Sequence, residues 1–310
     1  MPPALYASID VGTNTVKMAI GDLADGGAAA VFDRSASSRL GEGMSANGAR
    51  LSETAMARTA DAIADFAQEA RAQQVLGLAA VGTAALRDAQ NRDEFLARVM
   101  ERCGVAIDVI SGEEEARLSF LAVRRDPHWR GLPNLLVIDI GGGSSEIIQG
   151  EPGGDRIAQR RSVNLGAVKV TERYLLSDPP TAEQIDAAQQ AVSGEFAAVA
   201  GRPEGDWKLV GVGGTLTNLG SMDLGGWFGA EVLHGHALTA EALQRLIDIL
   251  AVRTVAERRS IPGLDPARAD IILGGAILAA RAAERVGADR LDISTRGLRW
   301  GVLYDRFRLR

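Results

Sequence analysis

The chain has 310 residues, 46% hydrophobic and 24% charged, with a formal net charge of -6 and one cysteine, Cys103. Such a composition excludes a disordered chain, and the length suits about two domains of roughly 100 to 200 residues each. The acidic balance argues against general nucleic-acid binding, which needs a broad positive surface. A lone cysteine excludes an internal disulfide framework and fits a reducing cytoplasm. The N-terminal MPPALYASID meets an acidic strand before any long apolar run, and no stretch of about eighteen apolar residues follows. The expectation is a cytoplasmic protein with neither signal peptide nor membrane anchor.

Strand-like runs (LYASID, VKMAIGD, LGLAAVG, AIDVIS, LLVIDI, SEIIQGE, WKLVGVGG, RLDIS) alternate with helical ones, the signature of an α/β protein. Between 51 and 72, Leu51, Met56, Ile63 and Phe66 recur near helical spacing, with Ser52 as N-cap. A second helix opens at Asn91, with Glu94 three residues on, and closes at Gly104. A third opens at SGEEEARLSFLAV, where Ser111 and Glu114 form a capping-box pattern. The polar segment RRDPHWRGLPN, 124 to 134, then marks a boundary between domains 1–126 and 127–310. Further helices are expected around 181 to 200, around 239 to 257 and from about Pro266 to Arg285, where Gly274 and Gly275 permit close packing. The final RGLRWGVLYDRFRLR forms the last helix, which could pack back on the first domain.

The sequence also echoes itself. ASIDVGTNTVKMAIGD and LVIDIGGGSSEIIQGE superpose without gaps, placing Asp10 on Asp139, Gly12 on Gly141, Thr13 on Gly142 and Lys17 on Glu146. Each reads as strand, tight turn and returning strand, which suggests duplicated halves that face each other. Backbone amides in such turns can converge on an anion because the missing side chains let phosphate oxygens approach, and Thr13, Asn14, Thr15, Ser144 and Ser145 add donors. Asp10 and Asp139 would repel a phosphate unless a cation intervened; Mg²⁺, held by one or two carboxylates, waters and phosphate oxygens, resolves the conflict. A third glycine site, WKLVGVGGTLTNLG, carries a strand through Gly211 into Gly213, Gly214 and Thr215 at a helix start, itself an anion site. It matches neither the dinucleotide pattern nor a Walker A loop.

These residues resemble the exopolyphosphatase and guanosine pentaphosphate phosphohydrolase family, within the actin/Hsp70/sugar-kinase superfamily. The resemblance runs over nearly the whole chain: IDVGTNT, RLGEG, GTAALRDAQN, SGEEEARL, IDIGGGSSE, NLGAVKVTERYL, VGVGGT, LHGHALT and ISTRGLRWGVL. It implies two ribonuclease-H-like (actin-like) lobes with a cleft between them, and metal-dependent hydrolytic release of terminal orthophosphate from inorganic polyphosphate. By motif position, Glu115 would be the catalytic base, and Asp139 and Glu146 the acidic pair that binds Mg²⁺ or Mn²⁺ or orients the attacking water. Gly141, Gly142, Gly143, Ser144 and Ser145 would form the phosphate loop, and Arg87 would hold substrate phosphates. Guanosine pentaphosphate is the alternative substrate, and nothing in the sequence decides between the two. A reading of another class is a catalytically silent nucleotide or alarmone sensor. The resemblance also implies a homodimer; that neither nucleic acid nor membrane is a partner is expected from the acidic balance and the lack of a long apolar run.

Read on their own chemistry, Glu113 and Glu114 are explained by the helix start. Glu115 shares a face with Leu118 and Ala122, and an inward carboxylate needs a partner or a task. A salt bridge to Arg117 or elsewhere is the alternative. Arg39, Arg87, Lys169, Arg296 and Arg299 lie in or beside the motifs and could form a track for a long anion. Three departures stand out: GTNTVKM where relatives commonly carry serines and an arginine, Trp300 where many carry Glu, and an end at Arg310 that resembles the short, two-lobed form. His234 and His236 flank Gly235, but no further ligands accompany them, which disfavours a metal reading.

Overall fold

The computed structural model describes residues 3–23, 29–199 and 205–307. By its contacts the chain divides into two units, one built from the chain up to Arg130 together with the segment from Arg296, the other from Gly131–Thr295. The chain therefore passes between units at 130/131, inside the 124–134 segment, and again at 295/296, ahead of the final helix that the sequence suggests could pack back on the first domain. Residue 200 of the helix expected over 181–200, and residues 308–310 of the final segment, lie outside the described residues.

The first unit is a five-stranded sheet of β1 (Leu5–Val11), β2 (Val16–Asp22), β3 (Ala29–Ala36), β4 (Gly77–Gly82) and β5 (Ile107–Val109), in the order β3-β2-β1-β4-β5. β1, β2 and β3 are antiparallel neighbours, whereas β4 runs parallel to β1 and β5 parallel to β4. Its helices are α1 (Glu53–Ala72), α2 (Ala84–Asp88), α3 (Arg92–Cys103) and α4 (Gly112–Arg124). α1 begins where the Ser52 hydroxyl accepts from the Ala55 amide at 3.2 Å, and Met56, Ile63 and Phe66 point into a core with Ile9, Met18, Ile20 and Phe95. α3 ends at Gly104 in the left-handed region, φ 70°. Its start corrects the capping expectation: the Asn91 side chain makes no cap bond, but accepts from the Leu51 amide at 2.9 Å and donates to the Leu51 carbonyl at 3.1 Å. A long-range tie has taken the group that a local rule assigned to the cap.

The second unit is a six-stranded sheet of β6 (Leu135–Ile140), β7 (Ser145–Gly150), β8 (Ile157–Val163), β9 (Lys208–Val212), β10 (Ala237–Thr239) and β11 (Arg290–Ile293), in the order β10-β11-β9-β6-β7-β8. Read from the other edge it repeats the first unit: three antiparallel strands, then parallel neighbours β9 and β11, with β10 added. Its helices are α5 (Ala167–Tyr174), α6 (Ala182–Phe196), α7 (Gly214–Asp223), α8 (Ala230–Leu233), α9 (Ala240–Ala251), α10 (Val255–Arg258) and α11 (Ile272–Arg285). The helix expected around 239 to 257 is thus two, because Thr254 opens α10 with its own capping box. Likewise Pro266–Arg268 is a 3₁₀ turn ahead of α11. Gly274 and Gly275 do serve close packing: a Cβ at 274 would lie 2.9 Å from the Ala167 carbonyl oxygen, and one at 275 would lie 2.4 Å from Thr215 Cγ2. Ile138, Ile147, Phe196, Leu216, Leu246 and Ile277 share the core.

The last helix, α12 (Leu298–Arg306), packs on α4 and β1 of the first unit. Gly301 comes so near α4 that a Cβ there would stand 1.9 Å from the Leu118 carbonyl oxygen. Trp300 is fully buried, and its indole N–H donates to Asp33 at 3.1 Å; Arg299 donates to the same carboxylate, at 2.6 Å from Nη2.

Candidate active site

In the first unit the motif residues gather at the carboxyl ends of β1, β4 and β5, the edge where open α/β sheets place ligands. β1 ends in Asp10 and Val11 and turns through Gly12–Thr15, closed by the Gly12 amide donating to the Thr15 carbonyl at 3.1 Å. A Cβ at Gly12 would lie 3.0 Å from that same oxygen. Thr13, Asn14 and Thr15 are buried, and the turn is tied to the RLGEG segment by Gly41 N donating to Thr13 O and Arg39 N to Asn14 O, both at 2.9 Å. Asp10 stands directly opposite Lys17 on β2, and Lys17 opposite Ser35 on β3.

Arg87 rises from α2 beside the same edge. Its Nη1 donates to the Ile110 carbonyl at 3.1 Å and to Glu115 Oε2 at 2.5 Å. Glu115 sits in the first turn of α4 and is only 6% exposed. Its partner is Arg87, not Arg117. Residues two apart on a helix point to different sides, whereas Glu114 and Arg117, three apart, meet. Arg117 accordingly gives two bonds of 2.8 Å to Glu114 and one of 2.7 Å to Asp305. Glu114 foremost, then Asp305, raises the Arg117 pKa. Two residues assigned separate tasks by motif, base and phosphate holder, thus form one ion pair.

In the second unit the hairpin geometry recurs. Gly141 N donates to Ser144 O at 3.0 Å, and a Cβ at Gly141 would lie 3.1 Å from that oxygen. Asp139 stands opposite Glu146, and Glu146 opposite Ser162, whose hydroxyl donates to Glu146 Oε1 at 2.8 Å. Cross-strand partners share one face with Cβ atoms about 4.5–5.5 Å apart. Asp139 is 8% exposed and Glu146 0%. Two carboxylates so close and so buried are stabilised by a counter-charge beside them. The donors are hard oxygens, which fits Mg²⁺ or Mn²⁺ held by two carboxylates, with waters and phosphate oxygens completing the shell. No larger group of three or more His, Cys, Asp or Glu is placed to hold a metal among the described residues.

The loop after β9 closes on the same place. Gly213 has φ 105°, and a Cβ on it would stand 2.9 Å from the Ile140 carbonyl oxygen and 3.0 Å from Asp139 Oδ1. Gly213 and Gly214 then open α7, leaving backbone amides at a helix start. The Thr215 side chain turns away, its methyl against Gly275, so this residue offers its amide rather than its hydroxyl. Ser145 likewise spends its hydroxyl on the Leu165 carbonyl, at 2.9 Å.

Two further features lie outside the glycine turns and acids that the motifs single out. Arg268 is buried and lies over the start of α7: a Cβ at Gly214 would be 2.3 Å from its Nη2. An arginine between Pro266 and a helix has nothing local to distinguish it; burial beside a glycine turn is what marks it. The second feature is a Leu-Gly pair that follows the third strand of each unit, Leu40-Gly41 and Leu165-Gly166. A Cβ at Gly166 would lie 2.5 Å from both the carbonyl carbon and oxygen of Gly142. Aligning RLGEG with NLGAV reveals the echo. Gly166→Ala is expected to cost about 1–3 kcal/mol, because only backbone is there to yield, and to slow the phosphate release that the family resemblance implies, by displacing the Gly141–Gly143 turn. Thermal melts and a phosphate assay on one preparation check both.

The remaining cations are engaged elsewhere. Arg39 pairs with Glu42 at 3.5 Å, Lys169 donates to Asn164, Arg296 stacks on Trp300 with its guanidinium 4.6 Å from the ring centroid, and Arg299 is buried against Asp33. His236 Nε2 meets Asp223 at 2.9 Å, and His234 Nδ1 meets the Thr295 hydroxyl at 3.2 Å.

The comparisons with known proteins agree with one another. The model of the Ppx/GppA phosphatase family matches residues 19–309. Exopolyphosphatase 2 of Mycobacterium tuberculosis is 34% identical over 312 aligned positions, covering 96% of each chain. Among solved structures, an exopolyphosphatase-like protein superposes with a TM-score of 0.91 at 32% identity, over 99% of this chain and 98% of the other. An exopolyphosphatase from Cytophaga hutchinsonii superposes at 0.87 and 26% identity, over 97% of both.

Proposed function

Since the chain belongs to the Ppx/GppA phosphatase family, we propose that it is an exopolyphosphatase, releasing terminal orthophosphate from inorganic polyphosphate by hydrolysis. The observation that carries the reading is the row Asp139, Glu146, Ser162 lying beside the Gly141–Ser144 turn and the Gly213–Gly214 helix start. That row joins a cation site to anion-binding amides, which is the pairing a phosphoanhydride requires.

In the second unit, the amides of Gly142, Gly143 and Gly213–Thr215, with the Arg268 guanidinium, bind phosphate oxygens and disperse charge as the terminal group leaves. Asp139 and Glu146 would hold a divalent ion, which when bound would supply further neutralisation of that charge. In the first unit, Glu115 accepts the proton of the attacking water and Arg87 keeps the carboxylate oriented, while offering its remaining N–H groups to phosphate. The Gly12–Thr15 turn with Asp10 is the first unit's counterpart of the phosphate loop. We take the ion to be Mg²⁺ or Mn²⁺ from the donor chemistry alone, the enzyme to be a homodimer from the family resemblance, and its compartment to be the cytoplasm from its single cysteine. No helix among the described residues is long and apolar enough to cross a membrane.

The test is phosphate release by the purified protein from long-chain polyphosphate, guanosine pentaphosphate and ATP, with Mg²⁺ or with chelator. Release from polyphosphate well above the other two, lost in chelator, is the expected result. Release chiefly from guanosine pentaphosphate would make this an alarmone hydrolase, and none from any substrate would favour a silent sensor.

A further inference from the structure

The two hairpins are the same structure carrying different charge. Each opens with an Asp one residue before the strand ends, Asp10 and Asp139, and each turns through a Gly whose amide bonds the residue three on, at 3.1 Å and 3.0 Å. Opposite each Asp on the returning strand stands the next member of the row, Lys17 in one unit and Glu146 in the other. Opposite that stands a serine, Ser35 and Ser162. Three positions match in register, in facing direction and in distance from the turn. Two carry the same residue, and the middle one reverses sign.

The consequence follows from charge balance. Asp10 is buried like Asp139, so each hairpin must offset its carboxylate's charge, by a nearby cation or by hydrogen bonds to it. In the second unit the cross-strand neighbour is a second acid, which doubles the negative charge of the row and gives a divalent ion two hard oxygen ligands. In the first unit the row carries its own positive charge: cross-strand partners point to one face, and the Lys17 ammonium is a compact point charge on a flexible stem that can settle beside a carboxylate.

We propose that Lys17 is the built-in counterpart of the metal, so that the duplicated enzyme binds one divalent ion per chain, at Asp139 and Glu146, and its first hairpin is closed to metal. This rests on the assignment of the metal to that acidic pair. It makes the positive charge at position 17 a determinant of ion number. The residue at the middle of each row decides what the hairpin takes: an acid admits a divalent cation, a lysine excludes it by like-charge repulsion at the same place.

The experiment titrates Mn²⁺ into the full chain without substrate and counts bound ions from the loss of the free-Mn²⁺ paramagnetic resonance signal. One ion per chain is expected for the wild type, none for Glu146→Lys and two for Lys17→Glu, which rebuilds the acidic row in the first hairpin. The double exchange Lys17→Glu/Glu146→Lys should hold one ion again. Two ions in the wild type would overturn the proposal, as would a folded Lys17→Glu that still binds one. Should Lys17→Glu fail to fold, the double exchange decides in its place: a folded chain that binds no ion would overturn the proposal. An ion retained by Glu146→Lys would instead overturn the metal assignment itself, and polyphosphate turnover is measured separately, so the two failures are told apart.

Discussion

Glu115→Gln is expected to release phosphate from polyphosphate about 10²–10⁴-fold more slowly than the wild type, the usual contribution of a general base. Glutamine keeps the shape and can still accept from Arg87, so the fold should persist. The pair is not fully enclosed, with the Arg87 side chain 21% exposed, so the stability loss should stay below the about 3–5 kcal/mol that breaking a buried pair costs. The difficulty is that Glu115 is also a strut, tying α4 to α2 through Arg87. Arg87→Gln separates the roles, since it breaks the same strut and leaves the carboxylate. If Glu115 is the base, Glu115→Gln loses more turnover than Arg87→Gln at equal stability, and only Arg87→Gln keeps the acid limb of the pH dependence of kcat/KM. Equal kinetics in the two variants, or wild-type turnover in Glu115→Gln, would reduce Glu115 to a structural residue.

The largest effect on stability is expected at Gly301. A methyl there meets the Leu118 carbonyl oxygen at 1.9 Å and the Leu118 carbonyl carbon at 2.6 Å. Both are helix backbone, with no flexible end to move aside, so α12 and α4 must separate. Overpacking typically costs about 1–3 kcal/mol and occasionally more; Gly301→Ala should fall at or above the top of that range in urea unfolding. Gly194→Ala is the control, because Gly194 lies in α6 with nothing within 4 Å of a Cβ. It should gain about 0.5–1 kcal/mol, the usual advantage of Ala over Gly within a helix. A Gly301→Ala variant as stable as wild type would mean that α12 does not seat on α4 as described. Leu118 lies one turn beyond Glu115, so turnover should fall with stability.

Features set by short stretches of chain are legible in the sequence alone. The alternation of strands and helices, the caps at Ser52 and Ser111, the closing Gly104 and the doubled hairpin all depend on neighbours in sequence, and each is present. β3 and β8 escape such a reading because each is an edge strand exposed along most of its length, so AAVFDRSA and IAQRRSV lack a strong buried stripe. Asn91 departs from its expected role as a cap because its partner, Leu51, lies forty residues away. The same reason hides the partner of Glu115, which no rule of helical spacing connects to Arg87. Motif order places the acids and glycines, whereas Arg268 depends on a turn folding beneath it.

The passage of the chain out of the first unit after Arg130 and back into it at Arg296 sets an order of events during synthesis. Domains generally fold as they emerge, N-terminal first. Here that order is reversed, because everything the second unit needs lies in one unbroken stretch, whereas the first still lacks the helix bearing Trp300, Leu303 and Tyr304, which form one apolar cluster with Ala19 and Ala122. While the ribosome works through residues 131 to 295, the face of the first sheet that α12 will cover stays open to water and to chaperones. The half that begins the chain is therefore the last to be finished.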